Sequence, residues 1–267
     1  MHRLGPALLV MTACSFPGSG GSGGSDGAPP VLDAPLVIPD AELPVEDAPD
    51  AAPADVCGDP DLLLCLEFED DLTDGTTTDG AGARELVATD VTGTPRASGG
   101  GTERAVLLGP TSVIYAAAEP AFQRDGNFTI ELWVRADEQP AGERSVVVDH
   151  NGNYALILAP LMGPFMRLRC AMSGTINGAI PIPLGAWTHV ACVFGVDEIR
   201  AYVGGLLAGV TGRGPDQDGN SDLVIGQDAP LAGGDNDRLR GALDDVKLWT
   251  RALSPEELTE IIDHDVP

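Results

Sequence analysis

Apolar residues recur at every second position in a series of short runs that begins shortly after residue 57. In the clearest run, NFTIELWVRAD at residues 127–137, every second residue from Phe128 to Val134 is apolar. A period of two is typical of a β-strand with one face packed against a core. Similar runs, separated by Gly, Pro, Asn and Asp, occupy residues 62–70, 104–109, 112–116, 144–150, 154–160, 165–172, 187–194, 198–205, 206–212, 222–227 and 241–250.

This pattern predicts an all-β fold, because short strands joined by turns pair in antiparallel fashion. We expect a two-sheet antiparallel sandwich or a barrel, with one short helix at its C-terminal end. Ser254 would cap that helix, Pro255 would take its first position and Glu257 would complete a capping box.

The first 14 residues, MHRLGPALLVMTAC, differ from this pattern. Arg3, a short apolar run and small residues before Cys14 predict a secretory signal that is too short to span a bilayer. The ending resembles the lipobox of bacterial lipoproteins, which implies a lipid on Cys14, and Ser15 after it is similar to the residue found in outer-membrane lipoproteins. The alternative is an ordinary signal peptide with an incidental cysteine.

Residues 15–56 contain Gly/Ser repeats and then a Pro, Ala and Asp-rich stretch, with eight acidic residues and no basic one. Such a composition cannot build a core, so it predicts a disordered linker. The folded domain is therefore expected at residues 57–267. Lipid and linker together predict an exported protein, at the cell surface or facing the periplasm, that meets the membrane only through its anchor.

The chain has 15 basic and 41 acidic residues and a net charge of -26. This charge repels nucleic-acid phosphates and anionic membrane surfaces, so it argues against binding either of them through a basic patch. Carboxylates in such number keep a protein soluble or supply oxygen ligands to divalent cations.

Four cysteines remain after Cys14, and an even number in an exported protein predicts two disulfides. Cys57 and Cys65 lie close together in the sequence, and Cys170 and Cys192 lie in two predicted strands. Zinc is not favoured, because the chain has no Cys-x-x-Cys pair.

Five segments in order resemble the laminin-G-like jelly roll of the concanavalin A-like lectin/glucanase superfamily. They are FTIELWVRAD, GAWTHVACVF, IRAYVGGLLAG, LVIGQ and LRGALDDVKLWTRALSPEELTEI. The resemblance covers residues 57–267. It implies two antiparallel sheets packed face to face, with the first and last strands paired and with Trp133, Trp187, His189, Tyr202 and Trp249 in packing positions. Gly204-Gly205 departs from the family's usual turn but still suits a tight hairpin.

Ligands of this family bind on one sheet face or at the rim, in some members through calcium, so calcium is a candidate cofactor. One candidate site is the loop 216–222, where Asp216, Asp218, Asn220 and Asp222 have the spacing of EF-hand ligands. A second candidate follows from the family's pairing of first and last strands, which would bring Asp71 or Asp74 next to Asp244. The alternative reading is that Asp244 faces solvent or caps a backbone group.

Catalytic groups are sparse. Glu67, Glu69 and Asp71 would share one face of a strand, as the carboxylates of glycan hydrolases do, but the run has no flanking aromatic residues to hold sugar rings. His189 is expected to be packed or hydrogen-bonded. We therefore expect a non-enzymatic binding or adhesion domain for a polysaccharide or an envelope glycoconjugate. The alternative is a structural or protein-interaction module without a small ligand, and a glycan hydrolase is a further one.

Overall fold

Fourteen strands and one α-helix form the part of the chain that a computed structural model describes, which is residues 56–69, 72–96, 104–215, 219, 221–229 and 237–264. The predicted signal, the lipidation site at Cys14 and the linker through residue 55 lie outside these residues. The elements are β1 (Leu62–Leu66), β2 (Thr76–Thr78), β3 (Glu85–Pro95), β4 (Arg104–Ala116), β5 (Phe128–Ala136), β6 (Ser145–His150), β7 (Tyr154–Pro160), β8 (Phe165–Ala171), β9 (Thr175–Pro183), β10 (Thr188–Phe194), β11 (Glu198–Val203), β12 (Leu206–Gly212), β13 (Leu223–Ile225), β14 (Gly241–Trp249) and α1 (Pro255–His264).

The strands form one antiparallel ladder in the order β12-β11-β10-β5-β14-β4-β13-β6-β7-β8-β9. The ladder folds over at β4, whose first half pairs with β14 and whose second half pairs with β13. We call the β12–β14 side the first layer and the β13–β9 side the second layer. This is the predicted two-sheet sandwich, and β1 pairs with β14 as expected, with Leu66 opposite Val246.

The core between the layers contains the inward residues of every long strand. Phe128, Ile130 and Leu132 of the first layer are fully buried, as are Leu156 and Leu168 of the second. Both predicted disulfides are present. Cys170–Cys192 links β8 to β10 and so joins the two layers through the core, whereas Cys57–Cys65 closes a short loop at the start of the domain.

Strands β2, β3 and β9 were not predicted by the sequence pattern. β9 contains Pro181 and Pro183, which cannot donate backbone hydrogen bonds and which sheets tolerate at their edges. The structure places β9 at the end of the ladder, where one side of the strand needs no donor.

The C-terminal helix α1 has the predicted capping box. The Glu257 amide donates to Ser254 Oγ at 3.2 Å, and the Ser254 amide donates to Glu257 Oε2 at 2.7 Å. Leu253 and Leu258 are buried against the outer face of the first layer, next to Trp249. The helix therefore covers a sheet face that would otherwise be exposed.

Candidate functional site

The outer face of the first layer carries a buried group of charged side chains. Glu131 on β5 contacts His189 on β10, with 2.7 Å between Oε2 and Nε2, and accepts a hydrogen bond from the Trp249 indole at 3.3 Å. Lys247 lies opposite Glu131 in the β5–β14 pairing. Burial alone would raise the pKa of Glu131, but the charge of Lys247 and the bond to His189 outweigh it and hold the pKa below its ordinary value. His189 is thus hydrogen-bonded and buried, as predicted.

Asp244 lies beside this group and does not face water. Arg96 donates to Asp244 Oδ2 at 3.1 Å and also to Asp245, and the Asp245 amide donates to Asp244 Oδ1 at 2.9 Å. The Arg96 guanidinium lies 4.7 Å from the centre of the Trp133 ring. Burial and the neighbouring Asp245 raise the pKa of Asp244 to about 8, against the effect of Arg96.

A β-bulge gives Asp244 this position. The pairing of β14 with β5 shifts between Asp244 and Lys247, and Asp245 has a left-handed φ of 48°. The extra residue places both Asp244 and Lys247 on the outer face, although strict alternation would separate them. We name the set Glu131, His189, Lys247, Arg96, Asp244 and Asp245 the charged cluster.

The predicted calcium ligands are not brought together within the described residues. Asp74 Oδ1 accepts hydrogen bonds from the amide and hydroxyl of Thr76, and among the described residues Asp74 and Asp244 belong to no group of three or more potential metal ligands. Asp244 bonds to Arg96 through one carboxylate oxygen and to the Asp245 amide through the other. Calcium at Asp244 stays a prediction. Asp71 lies outside the described residues.

Of the loop 216–222, only Gly219, Ser221 and Asp222 are described, so Asp216, Asp218 and Asn220 lie outside the described residues. Asp222 Oδ1 accepts a hydrogen bond from the Ala118 amide at 2.9 Å. The loop's calcium site stays a prediction.

The expected run of carboxylates on the first strand is wrong. β1 ends at Leu66, and Phe68 is buried with a left-handed φ of 55°, so residues 67–69 have left the strand. Glu67 and Glu69 are exposed, and Glu69 accepts a hydrogen bond from the Arg104 amide at 2.9 Å. Glu67 and Glu69 still line one small cleft of about 150 Å³, together with Thr77 and Thr78, but they lie on a loop and not on the extended strand that the comparison with glycan hydrolases assumed.

The second layer carries a cleft of about 330 Å³ at the end of its outer face. Its lining includes the β6–β7 turn, the β8–β9 turn and residues Asp149, Ala155, Ala171 and Thr175. These four residues occupy neighbouring strands in register, on the face opposite the core. Small side chains leave room there, and the volume lies in the range of small-molecule sites.

Asp149 is the carboxylic acid in the described lining of this cleft, beside His150, whose pKa burial lowers. The carboxylate is almost fully buried and accepts a hydrogen bond from the Ala229 amide at 2.8 Å. Burial raises the pKa of Asp149 to about 6, and the nearby Asp228 adds to the effect while Arg144 opposes it. The cleft thus holds one carboxyl group that titrates in the range of mildly acidic surroundings.

Aromatic residues contribute little to the cleft. Tyr154 packs its ring against Phe128 and His150 and is buried, so it cannot serve as an open platform for a sugar ring. Phe165 is exposed, but at the far end of β8. Of the five residues that the family resemblance placed in packing, all but the half-buried Trp187 are buried.

The fold and its motifs match one family model. It is Laminin_G_3, described as the concanavalin A-like lectin/glucanases superfamily, and it matches residues 108–259. The chain belongs to the concanavalin A-like lectin/glucanase superfamily. A comparison with curated protein sequences finds no match. Within the described residues, no helix has the length and hydropathy needed to cross a bilayer.

Solved structures with a similar fold include several binding domains. The binding domain of Paraclostridial Mosquitocidal Protein 1 has a TM-score of 0.55 at 18% identity, over 75% of this chain and 51% of that one. Domain 4 of AbnA, a GH43 extracellular arabinanase from Geobacillus stearothermophilus, was solved in complex with arabinotriose. It has a TM-score of 0.52 at 21% sequence identity, over 75% of this chain and 97% of that one. The botulinum neurotoxin serotype D binding domain has a TM-score of 0.57 at 11% sequence identity, over 77% of this chain and 52% of that one. The chain therefore spans about half the length of the first and third of these structures, and identities this low show the fold alone.

Two disulfides and a lectin-type domain are typical of exported, extracellular proteins. The similarity supports a binding role. Sequence reasoning did not single out Asp149, Ala155, Ala171 or Thr175, because alanines in an alternating strand carry no chemical signal and Asp149 lies among ordinary strand residues.

Proposed function

We propose that this protein is a non-enzymatic glycan-binding module, exported and held to the outer membrane by a lipid on Cys14. The observation that carries the glycan proposal is the cleft on the outer face of the second layer, in a domain of the lectin superfamily. The arabinotriose complex of the similar arabinanase domain supports a saccharide as the ligand class. The acidic linker would hold the domain away from its anchor.

The binding proposal is tested by filling the cleft. Ala171 lines the cleft and is half-buried, so Ala171→Phe places a ring in the space that a ligand would occupy. We expect a glycan array to show binding by the wild type and loss of that binding in the variant. Ala117→Phe, at an exposed alanine outside the lining, is the matched control and should bind as the wild type does. Absence of binding by the wild type to every glycan would contradict the proposal.

Calcium at the loop 216–222 is a subsidiary part of this proposal. Its support is the spacing of the predicted ligands and the position of the loop: Ser173 of the cleft donates to the Pro215 carbonyl, and Ser221 donates to the Asn151 carbonyl at 3.5 Å. A bound ion would raise the thermal midpoint with calcium relative to chelator, and the double variant Asp216→Asn, Asp218→Asn would remove the difference. Equal midpoints for the wild type would contradict calcium binding.

A second candidate function is docking to another envelope protein. Strand β12 is at the end of the ladder and exposes Leu206, Leu207 and Val210. Exposed apolar side chains on an edge strand are a common feature of protein contacts. Replacing Leu206 and Leu207 with Glu should abolish capture of an envelope partner and leave glycan binding intact, and unchanged capture would contradict this candidate.

A further inference from the structure

Two arginines lie on the outer face of β8, next to the cleft. Arg167 and Arg169 alternate along the strand with Met166, Leu168 and Cys170, which are buried in the core. The two arginines therefore share the face opposite the core. Both are half-buried.

The strands on either side offer these arginines no charge. Arg167 stands between Ala159 and Pro181, and Arg169 stands between Ile157 and Asn177. The residue Asn177 accepts a hydrogen bond from Arg169 Nε at 2.8 Å. The Nε of Arg167 is covered and has no hydrogen-bond partner among the described residues, and neither arginine forms an ion pair with any of them.

Other arginines of the described structure do pair with carboxylates, as a chain this acidic allows. Acidic residues outnumber basic ones 41 to 15, and Arg84, Arg144 and Arg251 each contact two carboxylates. Two like charges on one strand face repel each other, because residues two apart are about 7 Å apart along a strand. A face that keeps both arginines without a carboxylate is suited to an anion from outside.

The geometry also sets the order of groups along β8. Ala171, in the lining of the cleft, is followed on the same face by Arg169 and then by Arg167, at steps of about 7 Å. Asp149 in the cleft would repel an anion, whereas the small alanines there accommodate the apolar face of a sugar. The anionic part of a ligand thus belongs at the arginines and the uncharged part in the cleft.

We propose that Arg167 and Arg169 bind an oxyanion of an acidic glycan, a carboxylate or a sulfate ester, while a neighbouring sugar occupies the cleft. This inference rests on the proposed glycan-binding function and names its ligand class. The guanidinium group is suited to the task because its planar fork donates two hydrogen bonds to one oxyanion.

Matched polymers test this inference by affinity electrophoresis of the purified protein. We expect retardation in gels with polygalacturonate and none with its methyl ester, which keeps the backbone and removes the charge. Dextran sulfate against dextran is the second pair, and it separates sulfate from carboxylate recognition. Arg167→Gln with Arg169→Gln should weaken binding to the acidic polymer by at least about tenfold.

Arg200→Gln is the matched control. Arg200 lies on β11 of the first layer and pairs with Glu198, so this variant removes one charge far from the cleft and should bind as the wild type does. Thermal melts of all variants identify any loss of folding. Retardation by neutral polymers alone, or equal binding by the double variant and the wild type, overturns the acidic-glycan inference only. Retardation by no polymer overturns the acidic-glycan inference too, and the glycan array of the wild type then decides the glycan-binding function separately.

Discussion

The outer faces of the two layers differ in whether their cationic side chains are buried beside carboxylates. On the first layer, the cations Lys247 and Arg96 lie among carboxylates and are covered. On the second layer, Arg167 and Arg169 have uncharged neighbours and stay half-buried. A charge that is buried and paired belongs to the folded structure, whereas a charge left unpaired at the edge of a cleft is available to a ligand.

Removing Lys247 should have the largest effect on stability. Lys247→Met leaves Glu131 buried without its main cationic neighbour, and breaking such a pair costs about 3–5 kcal/mol. Urea unfolding measures the loss. The double variant Lys247→Met, Glu131→Gln removes both charges and should recover much of the stability. A single variant as stable as the wild type would show that the charged cluster does not hold the first layer together.

Asp149 tests the second face through pH. Its pKa is about 6 in the folded chain against an ordinary 3.8, so the folded state holds the proton more tightly. The contribution of Asp149 to the free energy of unfolding should therefore be largest below about pH 4 and should be lost as the pH rises through about 6. The total change should be at most about 3 kcal/mol. Asp149→Asn should abolish that dependence and be more stable than the wild type at pH 7. The exposed Asp197→Asn is the control, and a wild-type profile shared by Asp149→Asn would refute the assignment.

The cap of α1 should have a smaller effect. Ser254→Ala removes the hydroxyl that accepts the Glu257 amide, at a cost of about 1 kcal/mol. Thermal unfolding measures it, and Thr259→Ala, at an exposed threonine one turn later, should cost less. If the two variants lose the same amount of stability, the capping box does not hold the helix against the outer face of the first layer.

The arginines of the second face should matter least to stability. Arg167→Gln and Arg169→Gln remove no ion pair within the described structure, so each should stay within about 0.5 kcal/mol of the wild type in urea. The stability loss of these variants should therefore be several-fold smaller than that of Lys247→Met. A cost above about 2 kcal/mol for Arg167→Gln would give that arginine a structural role and erase the contrast.

Much of the fold was predictable because alternation records which strand face is buried. Residues 127–137 show this best, and the Gly204-Gly205 turn has the two left-handed residues that a tight hairpin requires. The capping box of α1 is equally local and was also readable. Strand β9 was not predicted because prolines are typical of loops. A strand at the end of the ladder can contain them, since one of its sides needs no backbone hydrogen-bond donor.

The sites were less predictable, since they depend on partners far apart in the chain. Asp244 binds Arg96, which is 148 residues away, and only a bulge lets Asp244 share the outer face with Lys247. The cleft joins Asp149 to Ala171 through three paired strands, a relation that no local motif expresses. The loop 216–222 was chosen by ligand spacing and Asp244 by the pairing of the first and last strands, and neither argument can reveal that Arg96 donates a hydrogen bond to Asp244.

The burial of Lys247 has a practical consequence for chemical labelling. Lys247 is the only lysine in the sequence, and its side chain is 1% exposed. Amine-reactive dyes and amine coupling to a sensor surface therefore find no accessible lysine on the folded domain. Coupling through lysine is therefore closed to glycan-binding measurements on the folded domain, and the reaction of Lys247 with such a dye would report unfolding of the first layer directly.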